Sequence, residues 1–210
     1  ALARAVAQRL RGEILSVDSM KVYRRMDIGT AKPSLVERAE LPHHLIDVAE
    51  PWESFSAARF VELADAAAAE IHARGNPVIA VGGTVLYLKF FYQGLFDGPA
   101  ANETIRAALR DRAAAEGTAA LHAELAKVDP EAAGRIHSND MRRIERALEV
   151  YQLTGRPISV QQREWEGPAI RRPEWNWTVI ALRREKEAAS RRINARVRAM
   201  IFHCTVSPGR

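Results

Sequence analysis

Cysteine is almost missing from the chain. Cys204 is its single thiol among 210 residues, so no internal disulfide can form and no cysteine cluster can hold a metal. Long apolar runs are missing too. No stretch approaches the roughly 18 uncharged apolar residues of a membrane helix, and no basic-then-apolar leader opens the chain. The expected compartment is therefore the cytoplasm, with no membrane partner. None of the 12 glycines is followed by lysine, so the phosphate-cradling pattern G-x-x-x-x-G-K-[ST] occurs nowhere. Internal repeats are absent, and alanine richness is the one compositional bias.

What is present is ordinary globular material, 47% hydrophobic and 27% charged. A chain of this length buries roughly 70% of its unfolded surface. That suits one large domain, or a core with a smaller module, and a monomer is expected. The net charge of +5 leans weakly towards a polyanionic partner. The distribution says more, because arginines gather at 135–146 and 183–198.

Residues 13–33, EILSVDSMKVYRRMDIGTAKP, organise the rest. Ile14, Leu15 and Val17 read as a short buried strand. It delivers Asp18 and Ser19, a carboxylate and a hydroxyl, to the carboxyl end of a strand, where open α/β sheets bind ligands. The same aspartate would serve equally as a plain helix cap. The loop MDIGTAKP that follows does not have the composition of a linker.

Upstream, residues 1–10 form a helix pattern with Leu2, Val6 and Leu10 on one face, and the chain is expected to begin inside that helix. Downstream, residues 43–48 read as a second strand. His43 and His44 invite a metal reading, but adjacent strand residues point to opposite faces and cannot easily chelate together. A helix follows towards Ala73, with Phe60, Leu63 and Ile71 as core contacts, and Asn76-Pro77 ends it. Residues 78–81, VIAV, are typical of a central parallel strand. They lead to Gly82, Gly83 and Thr84 at a helix start, where close backbone approach and an anion are both favoured. Alone, this triplet fits an N-capped turn equally well.

From 101 to 165 the pattern is helical throughout. Met141, Ile144, Leu148 and Tyr151 make an apolar stripe, with Arg142, Arg143 and Arg146 on its flank. A solvated basic face, offset by Glu145 and Glu149, is the plain alternative. Residues 167–173 read as a linker back to the core, Trp177 to Leu182 as the last strand, and 183–200 as an Arg-rich helix.

With their spacings, these segments resemble bacterial tRNA dimethylallyltransferases. The matching phrases are S-V-D-S-M-K-V-Y-R-x-M-D-I-G-T-A-K-P from Ser16, H-x-L-I-D-V-x-x-P-x-x-x-F-S-A-x-x-F from His43 and V-G-G-T-x-L-Y-x-K-x-x-x-x-G-L from Val81. H-x-N-D-x-x-R-x-x-R-A-L-E-V-x-x-x-T-G-x-x-x-S from His137 and R-R-I-N-A-R-V-x-x-M from Arg191 complete them. The resemblance implies an α/β fold: a P-loop-NTPase-like parallel-sheet core from 1–100 and 170–210, with an all-helical insertion domain at 101–169. The implied activity is transfer of a dimethylallyl group from dimethylallyl diphosphate to N6 of the adenine at position 37, beside the tRNA anticodon, aided by Mg2+.

The implied roles follow residue by residue. Asp18 is the general base, and Thr84 meets the leaving diphosphate. Ser19, Met20 and Lys21 contact the RNA beside Asp18, and Arg106 binds a phosphate. Arg142, Arg143, Ile144, Glu145 and Arg146 lie in the segment that contacts the anticodon arm. Asp27, Thr30 and Lys32 shape the substrate channel. No metal ligand is identifiable, because the family's metal-holding Ser or Thr belongs to the phosphate loop. Residues 201–210 depart from the family pattern. These 210 residues alone are therefore expected to be catalytically inactive. A P-loop-type small-molecule kinase on the same core and a non-catalytic tRNA-binding remnant are the alternatives.

Overall fold

The structure is a computed structural model that describes residues 2–95, 98–165, 172 and 174–206. It divides into two compact units, Ala1–Leu95 with Ile170–Arg210, and Phe96–Ala169.

The first unit is built on β1 (Glu13–Val17), which is buried along its whole length. It pairs in parallel with β2 (His43–His44) on one side and β3 (Val78–Gly82) on the other. The register sets Ile14 opposite His43 and Ile79, and Val17 opposite Gly82. Alternation along the strands then sorts the side chains. Leu15, Val17, Val78 and Ala80 turn to the face covered by α3 (Ala57–Ala73) and α4 (Val85–Gln93). Ile14 and Ile79 meet Ala7 of α1 (Leu2–Leu10) and Leu41, just beyond α2 (Leu35–Glu40).

Helix α3 lies close to the sheet because its inner face is small, with Ala64, Ala67 and Ala68 between Phe60 and Ile71. Ser56 caps it by accepting from the Arg59 amide at 3.1 Å. The Phe60 ring stacks on Tyr87 of α4 at 4.4 Å between centroids. The returning segment is clamped by Arg172, which donates to both oxygens of Asp65 at 2.7 and 2.6 Å. Trp175 and Trp177 stack on each other beside it and meet Phe91 edge-on.

Three local expectations change, and the orientation of the first helix is fixed. The second strand stops at His44 instead of Val48, because Leu45 and Asp47 take left-handed backbone (φ +62° and +59°) that no ladder accommodates. Strand β3 pairs with β1 alone among the described residues, so it is an edge and not a centre. Its residues are only half-buried and Val81 is exposed, so the apolar run does not report a central strand here. Trp177 to Leu182 forms no strand; Val179, Ile180 and Leu182 lie exposed and join no ladder among the described residues. In α1 the Leu2–Leu10 stripe is outward, each of these leucines 54% exposed, while Ala7 is fully buried. The sheet admits only the small residue there.

The last helix, α10, runs from Lys186 to Val206. Helix α2 was not evident from periodicity, yet Ser34 and Glu37 close a full capping box around its start. The expected linker at 167–173 lies outside the described residues, Arg172 excepted.

The second unit holds α5 (Glu103–Glu116), α6 (Thr118–Val128), α7 (Pro130–Arg135), α8 (Met141–Thr154) and α9 (Ile158–Trp165). They close over Leu109, Leu121, Leu125, Ile144 and Leu148. Asp129 is buried and clamps two helix starts, accepting from the Ala132 and Ser159 amides at 2.9 Å each. Burial pushes its carboxyl up, but those amide bonds outweigh that effect and hold it below its usual value.

Candidate active site

Strands β1 and β3 deliver their carboxyl ends side by side, and the site is the polar material just beyond them. Gly82 makes this possible: a Cβ there would fall 1.8 Å from the Val17 carbonyl oxygen. Thr84 is the N-cap residue of α4, yet its side chain makes no capping bond. Its Oγ1 instead accepts from the Ser19 amide at 3.0 Å and lies 3.4 Å from the Ser19 hydroxyl. The two strand-end loops are thereby tied together through the residues expected to do chemistry. The turn beyond β3 is thus more than an N-cap.

Asp18 divides its carboxylate between two tasks. Oδ1 accepts from the Met20 and Lys21 amides at 2.9 and 3.2 Å, fixing the turn. Oδ2 has the Lys21 ammonium 3.9 Å away and no closer partner among the described residues. One oxygen thus serves the turn, and the other is left for the chemical role expected of Asp18. The side chain is about one-third exposed, open to a substrate.

Beyond Tyr23 the MDIGTAKP loop is folded around Lys32. This side chain is 3% exposed, and its ammonium donates to the Tyr23 carbonyl (2.5 Å), Asp27 (2.8 Å) and Asp47 (2.6 Å). All three N–H bonds point into the loop. Thr30 donates to the Met26 carbonyl at 2.5 Å. Arg38 adds a bond to Asp47 at 2.7 Å. Burial raises the Asp47 carboxyl, but the bonds from Lys32 and Arg38 win and lower it. Asp47 and Arg38 were not singled out from sequence. The D in L-I-D-V was visible, but its partner 15 residues upstream was not.

The remaining site residues lie in the helical unit. Glu149 is fully buried and collects Arg106 (Nε and Nη2, 2.9 Å each), the Asn102 amide (2.6 Å) and Arg146 (2.6 Å). Burial pushes its carboxyl up, and these bonds more than reverse that, holding it at about 2. Arg106 is thus engaged bidentately inside the unit. Ile144 is in the core, and Glu145 is nearly buried near Arg106 and Arg110. Arg142 and Arg143 are exposed, and Arg142 has no partner among the described residues.

No cluster of three or more His, Cys, Asp or Glu is placed to hold a metal among the described residues. His43 and His44 diverge, one to the Leu41 carbonyl and the other to Glu13. Asp18, Ser19 and Thr84 offer one carboxylate and two hydroxyls. That set suits magnesium as a supplement to phosphate oxygens and water, the usual habit of this ion. Among the described residues no helix is long and apolar enough to cross a membrane.

A parallel sheet that presents an aspartate, hydroxyls and a Gly-Gly turn at its carboxyl edge has the ligand-binding layout of open α/β proteins. The family is narrower than that class. Residues 21–206 match the family model described as IPP transferase, and the chain belongs to this family. The match reaches past Met200, so residues 201–206 lie within the family pattern instead of departing from it.

The chain is 50% identical over 202 residues to a tRNA dimethylallyltransferase of Stenotrophomonas maltophilia, covering 96% of this chain and 63% of the relative. It is 50% identical over 200 residues to the one from Halorhodospira halophila, covering 95% and 64%. It therefore spans less than two thirds of these relatives. Among solved structures, the tRNA isopentenylpyrophosphate transferase of Bacillus halodurans superposes with a TM-score of 0.58 at 42% identity, over 95% of this chain and 60% of that one. A eukaryotic dimethylallyltransferase acting on tRNA gives 0.72 at 29% identity, over 96% and 49%.

Proposed function

We propose that this chain carries the acceptor side of a tRNA dimethylallyltransferase, acting in the cytoplasm. The carrying observation is Asp18, with one carboxylate oxygen fixed by two amides and the other 3.9 Å from the Lys21 ammonium, in the turn that Thr84 ties to β3 through Ser19. In the reaction the exocyclic N6 of adenine attacks the allylic carbon of dimethylallyl diphosphate. The C–O bond to diphosphate breaks as the N–C bond forms, and the N6 proton passes to Asp18 Oδ2. Such a positioned base contributes roughly 10²–10⁴-fold.

Thr84 and Ser19 face the leaving group with hydroxyl protons that no strong acceptor holds, since their mutual contact is long at 3.4 Å. A magnesium ion, held through the diphosphate with Asp18, Ser19 or Thr84 as supplement, would neutralise the departing charge. Lys32, Asp27 and Thr30 shape the channel by holding its loop. The reactive adenine must leave its stack to reach Asp18, and arginines on the helical unit supply the phosphate contacts that hold the anticodon arm.

The donors facing a diphosphate here are few, and losing even one preorganised donor can cost about 10²–10³-fold. Incubated with unmodified tRNA, magnesium and dimethylallyl diphosphate, the 210-residue chain is expected to give no multiple turnover by mass spectrometry of digested tRNA. Joined to a G-x-x-x-x-G-K-[ST] loop it should produce prenylated adenosine, and Asp18→Asn should abolish that product while tRNA still binds. A fused chain that binds tRNA yet never prenylates would leave a non-catalytic RNA-binding protein. Asp18→Asn activity within tenfold of the parent would remove Asp18 as the base.

A further inference from the structure

Helices α7, α8 and α9 enclose a cleft of about 340 Å³ whose features the strand-end chemistry does not use. Its floor is apolar, formed by Ile136, Ala147 and Ile158, and its rim is Arg135, Arg143, Arg146 and Gln162. No acidic side chain is among the described residues that line it. Arg146 is fixed before any ligand arrives, bonded to Glu149 at 2.6 Å and to the Pro99 carbonyl at 2.8 Å. Arg135 donates to Gln162 Oε1 at 3.3 Å, which leaves the amide N–H₂ of Gln162 to donate elsewhere.

We infer that this cleft takes one unstacked nucleotide of the RNA, an inference that rests on the RNA reading above. The base lies on the apolar floor beside the pinned guanidinium of Arg146, and its phosphate meets Arg135 and Arg143. Three observations select this occupant. The volume is at the low end of the range of about 300–1,000 Å³ for small-ligand clefts, enough for a single nucleotide and too small for a duplex. A bare phosphate would satisfy the rim but leave the floor open to water. A neutral aromatic would cover the floor but engage none of the three guanidinium groups at the rim, whose own carboxylates, Glu131 (3.7 Å), Asp140 (3.1 Å) and Glu149 (2.6 Å), do not line the cleft. Splayed bases stacked on arginine planes are how single-stranded RNA is commonly read, and a guanidinium already held in place loses little freedom on stacking.

The test compares Arg135→Gln and Gln162→Glu with Arg163→Gln, which removes the same charge as the first from helix α9 but does not line the cleft. Affinity of the full chain for an unmodified anticodon stem–loop RNA is read by fluorescence anisotropy at fixed salt. Each cleft variant should bind roughly tenfold more weakly and Arg163→Gln no more than about twofold more weakly. Adenosine monophosphate should shift the methyl signals of Ala147 and Ile158 in NMR spectra, whereas inorganic phosphate should leave them in place. Equal losses in Arg135→Gln and Arg163→Gln, or RNA binding that leaves both methyl signals unmoved, would overturn the cleft while the RNA reading stands. Methyl shifts with adenosine monophosphate in a chain that binds no RNA would support a nucleotide cleft and sink the RNA reading.

Discussion

Each of the two units holds a buried carboxylate ringed by cations, Glu13 in one and Glu149 in the other, and the two arrangements differ in what their arginines line. In the sheet unit, Glu13 opens β1 and receives Arg74 bidentately (2.9 and 2.8 Å), Asn76 (2.9 Å) and His44 (2.7 Å). It sits at the amino end of the strand, five residues before Asp18, and ties β1 to β2 and to the end of α3. In the helical unit, Glu149 gathers Arg106 and Arg146 in the same manner, but Arg146 also lines the cleft. One carboxylate ties the strand start to its neighbours, and the other holds an arginine that lines a cleft. Exposure of the partners does not separate the two networks, since Arg74 is 47% exposed and Arg146 32%; what differs is that Arg146 lines a cleft.

Removing Glu149 should produce the largest effect. Glu149→Gln leaves two arginines gathered around a neutral amide, and breaking a buried pair this way costs about 3–5 kcal/mol. Thermal unfolding should show the helical unit melting early and RNA binding lost with it. Glu13→Gln should destabilise the sheet unit but leave the RNA affinity of the folded chain unchanged. Equal loss of RNA affinity in both variants at a temperature where both are folded would erase the contrast.

Acid should strike both networks in one window. Hydrogen bonds from Arg74, with Asn76 and His44 and against burial, hold Glu13 at about 2, as the Glu149 network does for that group. A carboxylate whose folded value lies below its unfolded one near 4.5 adds stability that is fully present above that value. The stability is lost as pH falls from there towards about 2. Unfolding followed by circular dichroism should steepen across that window, and each Glu→Gln variant should flatten its share. A variant that keeps the full acid slope would show that its carboxylate is not the titrating group.

Lys32 is the next step down. Lys32→Met keeps the length of the side chain but removes three bonds and leaves Asp47 facing Arg38 alone. The cost should be about 1–3 kcal/mol, seen as a lower Tm and as proteolysis within residues 23–33. A loop as resistant as the parent's would mean that Arg38 and the capping box at Ser34 suffice to hold it.

These cases also show what the sequence could reveal. Strand β1 was legible because Ile14, Leu15 and Val17 give a short apolar signal with a polar stop at Asp18, while the burial of Glu13 and Ser16 was not visible. Helix α8 was legible because its period puts Ile144 and Leu148 inward. Partners distant in sequence were not legible. Nothing local marks Lys32 as a buried hub, since its acceptors lie at Tyr23, Asp27 and Asp47. The bond of Arg106 to Glu149 was not legible either, because that carboxylate is 43 residues away. Trp177 to Leu182 misled for the opposite reason: β-propensity is a statement about fit to a neighbouring strand, and no such neighbour pairs with it among the described residues.

Arg142 sharpens the comparison with the smallest effect. It stands beside Arg143 at the start of α8, is exposed, and bonds to nothing among the described residues. Removing it breaks no contact within the unit, so Arg142→Ala should leave stability within about 0.5 kcal/mol of the parent. If Arg142 meets an RNA phosphate, its loss releases one fewer counterion. The slope of log affinity against log salt should then become shallower by roughly one unit, across RNA sequences alike. Arg146→Ala should behave differently, because it disturbs Glu149 as well as the ligand face: affinity and Tm should fall together. A salt slope unchanged by Arg142→Ala would assign that residue to an ordinary solvated surface and leave RNA contact to the arginines that Glu149 and the cleft hold in place.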